Sequence, residues 1–407
     1  MTGDGEVQLA ERSVHYDEAA RGLPKSQGRI VALDGLRGVA ALIVVVFHYL
    51  CLLHPGLVPD MTATPAWIAD TPVGLLWNGP FAVSVFFVLS GFVIAAAADR
   101  RRDIIVANLA TRYLRLAVPV LASVILAWIL LSLFANATPS LREAVPEPSR
   151  WLDYTYQGDI PPLYAAVYDG LVGNFLQGVS GFNNVLWTMQ IELFGSIGLF
   201  LLYWFIPGRA RFVALGLAAV FIVFFLRDAY IAFVIGACLY EASKAGLLFR
   251  LPGFLPPVAL VVGVLLGAPG EGTWARWGLM DLPGRLTAGN PQGLVPIGAA
   301  TLFVYAALML PAFTQILGRR LLQWLGRISF SLYLVHVPLL YTLVAFAYVN
   351  LPISEVSLVV LYFAGTLVLA HLFTLAVDEP SLRLLRRVRD TLAPVDTRIR
   401  LLRTRVA

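Results

Sequence analysis

Charge is what this sequence has least of. Asp, Glu, Lys and Arg make up 14% of its 407 residues, against roughly a quarter in soluble domains. Only two cysteines occur, Cys51 and Cys238, each in an apolar context, which argues against a disulfide framework and a thiolate metal site. The chain has no H-E-x-x-H or paired C-x-x-C spacing and no glycine-rich phosphate loop, so no metal and no P-loop nucleotide chemistry is expected. It lacks an evident internal repeat, which weighs against an inverted-repeat transporter. Residues 1–29 are too polar and acidic for a signal peptide and read as a disordered cytoplasmic lead.

What the chain has instead is apolar length: 58% of its residues are hydrophobic. Repeated runs of membrane-spanning length predict an all-α polytopic membrane protein. Ten transmembrane helices are expected near 31–53, 80–98, 116–135, 185–206, 212–226, 229–243, 254–268, 294–312, 328–348 and 356–377. With both termini cytoplasmic, this topology puts all but five of the 30 Lys and Arg residues on the cytoplasmic side. The five exceptions are Arg142, Arg150, Arg227, Arg276 and Arg285. Such a bias follows the positive-inside rule, and an odd number of spans would destroy it. The formal charge of +5 and the pI near 9.3 therefore report orientation beside anionic lipids. Nothing interleaves the basic residues with aromatics, so no nucleic-acid partner is expected.

One membrane domain is expected over 30–380, followed by a basic cytoplasmic tail at 381–407. Its longest outer segment, 136–184, combines prolines with Trp151, Tyr154, Tyr156, Tyr164 and Tyr168 and reads as a folded outer cap. A second outer segment, 269–293, carries Trp274 and Trp277.

Five groups of residues within this domain carry chemistry. Arg37 and His48 are eleven residues apart in the first span, about three helical turns, which returns both to one face roughly 16 Å apart along the axis. Ionisable groups inside a membrane are costly and tend to face polar paths or sites of chemistry. A guanidinium suits phosphate, and a neutral imidazole suits proton abstraction near pH 7. Asp34 lies three residues before Arg37, placed to pair with it. The plainer reading makes Arg37 a snorkelling anchor and His48 a packing residue.

In the second span, Phe86-Phe-Val-Leu-Ser-Gly-Phe92 contains Ser90 in a small-residue step suited to close helix packing. Arg112 and Arg115, at i and i+3 where the third span begins, form a candidate phosphate clamp or ordinary inner-side charge. Leu186-Trp-Thr-Met-Gln-Ile-Glu192 opens the fourth span from outside. It sets Glu192 roughly 10 Å deep, placed to orient His48 or meet an acceptor hydroxyl, with Trp187 as a stacking surface or belt residue. Ser329, Tyr333 and His336 share one face of the ninth span. If that span starts at Ser329, His336 is expected in the inner half, near the depth of Arg37, as part of a donor site.

In combination these motifs resemble the acyltransferase-3 family of integral-membrane acyltransferases. Leu33-Asp-Gly-Leu-Arg37 followed by His48 is the most specific match. Phe87-x-x-Ser-Gly-Phe92, Arg112-x-x-Arg115 with Pro119, Trp187-Thr-x-x-x-Glu192, Ser331-x-Tyr-Leu-x-His336 and Glu379-Pro380 with Arg383 follow in the family's order. The resemblance implies transfer of an acyl group, commonly acetyl from acetyl-CoA, to a hydroxyl of an extracytoplasmic glycan or of a small natural product. It implies residence in a plasma (bacterial inner) membrane. His48 and Glu192 are the expected catalytic residues. Arg37, Arg112, Arg115, Ser329, Tyr333 and His336 are expected at the acyl-CoA donor, with Asp34, Ser90 and Trp187 in support. Some relatives carry an appended hydrolase-like domain, so any second transfer step here would need a separate extracytoplasmic protein. The rival from another class is a proton-coupled transporter or glycan translocase relaying protons through Arg37, His48 and Glu192. The acceptor and the oligomeric state are not legible in the sequence.

Overall fold

The computed structural model describes residues 25–58, 61, 66–145, 149, 151–152, 159–268 and 291–406. Most of the expected lead, residues 269–290 of the second outer segment with its tryptophans, and Tyr154 and Tyr156 lie outside the described residues. Among the described residues there are helices and no strand. The long ones are α1 (Lys25–Leu53), α2 (Gly79–Arg100), α3 (Ile105–Leu133), α4 (Trp187–Phe205), α5 (Ala210–Phe225), α6 (Ala229–Lys244), α7 (Leu255–Leu266), α8 (Pro291–Met309), α9 (Arg320–Leu339), α10 (Glu355–Phe373) and α11 (Glu379–Val406).

All ten expected apolar segments are helical. Among the described residues six helices are long and apolar enough to cross a membrane unaided. Counting α8 with Pro311–Leu317, which follows it at a bend of 94°, as one broken span makes seven. The helices α5 and α7 are apolar but shorter. The structure is a multi-pass helical membrane protein.

Glycines decide which helices touch most closely. A Cβ on Gly38 would lie 2.5 Å from the backbone N of Gly326, and one on Gly326 would lie 2.3 Å from the carbonyl O of Asp34. At those two positions α1 and α9 meet backbone to backbone, a separation only glycine allows. The same holds for α2 and α6, where a Cβ on Gly91 would lie 2.2 Å from the Phe233 carbonyl O. The small-residue step beside Ser90 is thus a packing contact. Gly38→Ala is expected to destabilise the protein by about 1–3 kcal/mol through overpacking and to lower activity by moving α1. A melting curve of Gly38→Ala in detergent that overlays the wild type would refute this account of the contact.

Two features alter the expected layout. First, the C-terminal stretch is a helix docked on α3, and its Asp396 is 1% exposed. The Asp396 carboxylate accepts from the Val106 and Ala107 amides at 2.9 and 3.1 Å, satisfying donors that a helix start leaves free. Second, the later part of segment 136–184 runs back along α3. Trp128 donates to the Pro161 carbonyl at 2.9 Å, Gly170 packs on Leu121, and Tyr113 donates to the Leu171 carbonyl at 2.7 Å. From Trp128 to Tyr113 is roughly 22 Å of helix, so this part of the segment lines the bundle and α4 starts from within it.

Candidate active site

Two cavities meet inside the bundle. The inner one, about 210 Å³, is lined by Arg37 from α1, Ser90 from α2, Arg112 and Arg115 from α3, Glu192 from α4, and Ser329 and Tyr333 from α9. The outer one, about 690 Å³, is lined by His48, Trp187, Arg227 and Asp228 among others. Val83, Phe87 and Tyr333 line both, so these three side chains form the wall between them. Arg37 and His48 project from one helix into the two cavities on either side of that wall.

The inner cavity holds its arginines in fixed directions. Arg112 pairs with Glu192 and donates through Nε to Ser196 Oγ at 2.8 Å. Ser90 donates to the same carboxylate at 2.7 Å. Arg115 forms a two-pronged pair with Asp378, its second bond at 3.2 Å, and lies 5.5 Å from the Phe330 ring centre. Arg37 has no salt-bridge partner among the described residues, and the exposed Asp34 does not supply the expected one. Three guanidinium groups against two carboxylates leave the cavity net positive, with Arg37 outside any ion pair among the described residues. That composition fits a phosphate-bearing donor, and the paired arginines keep their rotamers without a ligand.

His48 is 8% exposed and reaches the outer cavity. Its Nδ1 lies 3.0 Å from the Val44 carbonyl and 3.1 Å from His336 Nε2, and His336 Nδ1 lies 3.0 Å from the Leu332 carbonyl. Carbonyls only accept, so the network assigns N–H to both Nδ1 atoms. His336 Nε2 is then an acceptor for His48 Nδ1–H, and His48 Nε2 keeps its lone pair. Trp151 covers the ring at a centroid distance of 5.1 Å, and Phe47 meets it edge-on at 5.0 Å.

Several expected placements change. His336 is not at the depth of Arg37 but at that of His48, because α9 starts at Arg320 and carries it roughly 24 Å inward. Its side chain is absent from the inner cavity lining. Glu192 does not contact His48; it pairs with Arg112 and accepts from Ser90. Arg112 lies seven residues inside α3, which starts at Ile105, eleven residues earlier than expected. Tyr333 donates to the Val185 carbonyl at 2.7 Å, and Ser329 to the Gly326 carbonyl at 2.8 Å. Ser196, Asp378, Trp151 and the His48–His336 contact were not foreseen. Asp378 stands directly before Glu379-Pro380, the one signal that pointed near it.

The bundle thus encloses a basic cavity and, beside it, a second cavity that a histidine faces. The family model of Acyl_transf_3, an acyltransferase domain, matches residues 30–375, and the chain belongs to this family. It is similar to the O-acetyltransferase PaAT-1 of Phomopsis amygdali, 26% identical over 370 residues, covering 76% of this chain and 72% of that protein. No solved structure matches it.

Proposed function

We propose that this multi-pass acyltransferase moves an acyl group, most simply acetyl, from acyl-CoA to a hydroxyl of an extracytoplasmic glycan or a related small acceptor. The reading takes a ten-span topology with both termini cytoplasmic in a plasma (bacterial inner) membrane. The single observation that carries it is the wall of Val83, Phe87 and Tyr333 between a basic inner cavity and an outer cavity containing His48. The likeness to an O-acetyltransferase supports the same chemistry.

On this reading the donor enters from the cytoplasm, with its phosphates at Arg37 and the paired Arg112 and Arg115. Its pantetheine arm extends through the inner cavity past Ser90, Ser329 and Tyr333, and the thioester arrives at the wall. An acceptor hydroxyl approaches from the outer cavity beside Trp187. His48 Nε2 takes the hydroxyl proton while the oxygen attacks the thioester carbonyl. The new C–O bond forms, the C–S bond breaks, and the proton leaves His48 for the departing thiolate. Glu192 acts through Arg112, holding its direction, and His336 acts by packing its Nε2 against His48 Nδ1, whose tautomer the Val44 carbonyl fixes. Metal is not needed for any of these steps.

The deciding experiment incubates purified protein in detergent with acetyl-CoA and extracted surface glycans, and follows ester formation and thiol release. Chemistry proceeds without a sealed vesicle, whereas transport does not. Arg37→Ala is expected to raise the donor KM about tenfold or more by removing a charge-assisted contact, with a smaller effect on kcat. An unchanged donor KM would reject the anchor role.

A further inference from the structure

The outer cavity contains a cation that none of these steps uses. Arg227 is one of the few basic residues that the ten-span topology places on the outer side, against the positive-inside bias. It lies in the turn between α5 and α6 and lines the same cavity as His48. Its guanidinium carbon is 5.5 Å from the centre of the Trp187 ring, itself part of the cavity lining. Stacking of this kind holds a guanidinium in place without using its N–H donors.

Among the described residues no carboxylate lies within ion-pair distance of Arg227, although Asp228 is its neighbour and lines the same wall. Burial raises the Asp228 carboxyl above its ordinary value. Asp228 instead faces Gly293, where a Cβ would come within 2.8 Å of its Oδ2. The cavity therefore offers a tethered planar cation with unspent donors and, in the same lining, a histidine with a free Nε2. A guanidinium fork matches a carboxylate or a phosphate oxygen pair.

We propose that the acceptor is an anionic hydroxyl compound, its carboxylate or phosphate held by Arg227 while its hydroxyl meets His48. This deepens the acyl-transfer reading and rests on it. The difference between the two acid groups is left to the acceptor's mass, and the alternative is a mere surface anchor.

The test compares base-labile esters by mass spectrometry in cells producing wild type, His48→Ala, Arg227→Ala and Arg227→Lys at matched membrane levels. Arg227 is exposed, so its variants should fold, and gel filtration in detergent checks this; Arg227→Lys serves if the alanine variant fails. The expected result is a His48-dependent ester whose acceptor, after saponification, binds an anion exchanger. Its amount should fall about tenfold or more in Arg227→Ala and recover in part with lysine. A neutral acceptor, or an anionic one acylated equally well by Arg227→Ala, would overturn the proposal and leave acyl transfer standing. Absence of any His48-dependent ester would overturn acyl transfer itself, and this proposal with it.

Discussion

His48→Ala is expected to lower acyl transfer about 10²- to 10⁴-fold, the usual worth of general-base help, in a protein that still folds. The ring is 8% exposed and its polar contacts are a backbone carbonyl and one other imidazole, so alanine leaves no buried charge behind. The unoccupied acceptor on His336 Nε2 costs some stability, which a melting curve would register separately from the rate. His336→Ala should fall between wild type and His48→Ala, because it removes one of the two acceptors facing His48 Nδ1–H and leaves the Val44 carbonyl to hold the tautomer. The two variants also differ in pH dependence. Loss of His48 should flatten the pH profile of kcat, whereas loss of His336 should move its limb and keep it. Wild-type rates from His48→Ala at matched protein levels would dismiss the catalytic role.

The second large effect is expected at the inner cavity. Glu192→Gln removes the charge that balances Arg112, a guanidinium with 14% of its side chain exposed. Breaking a pair of this kind by removing one partner costs about 3–5 kcal/mol, because the remaining charge is stranded. A clear drop in melting temperature and a loss of donor affinity should therefore appear together. Replacing both partners with methionine separates the two: apolar substitution of a buried pair is often neutral for stability, so melting should recover while donor affinity does not. If Glu192→Gln melts like wild type, the pair is not a structural support. If the double variant binds donor normally, Arg112 is not part of the donor site.

Much of the site could be read from helical spacing alone. Arg37 and His48 share a face because eleven residues close three turns, and no partner helix is needed for that inference. Ser329 and Tyr333 share a face for the same reason, and both line the inner cavity. What could not be read was depth. Hydropathy marks where a segment is apolar, not where its helix begins, and α9 starts eight residues before the expected boundary at 328. That offset moves His336 from the donor side to His48. Segment 136–184 shows the same weakness more strongly. Its prolines and aromatics suggested a cap, yet part of it descends along α3, because Tyr113 and Trp128 give its carbonyls hydrogen bonds inside the bundle.

Apolar run length was enough to expect a helical membrane protein, the order of short motifs carried the resemblance to its family, and helical spacing put Arg37 and His48 on one face. These are local properties, set by side-chain chemistry and a 3.6-residue period. The partners of Glu192, Arg115 and His48 are residues 80, 263 and 288 positions away. They depend on how far each helix slides past its neighbours, and for α1 against α9 that slide is limited by the glycine contacts at Gly38 and Gly326. Periodicity within one helix carries no information about such offsets, so only the packed bundle reveals the wall between the two cavities.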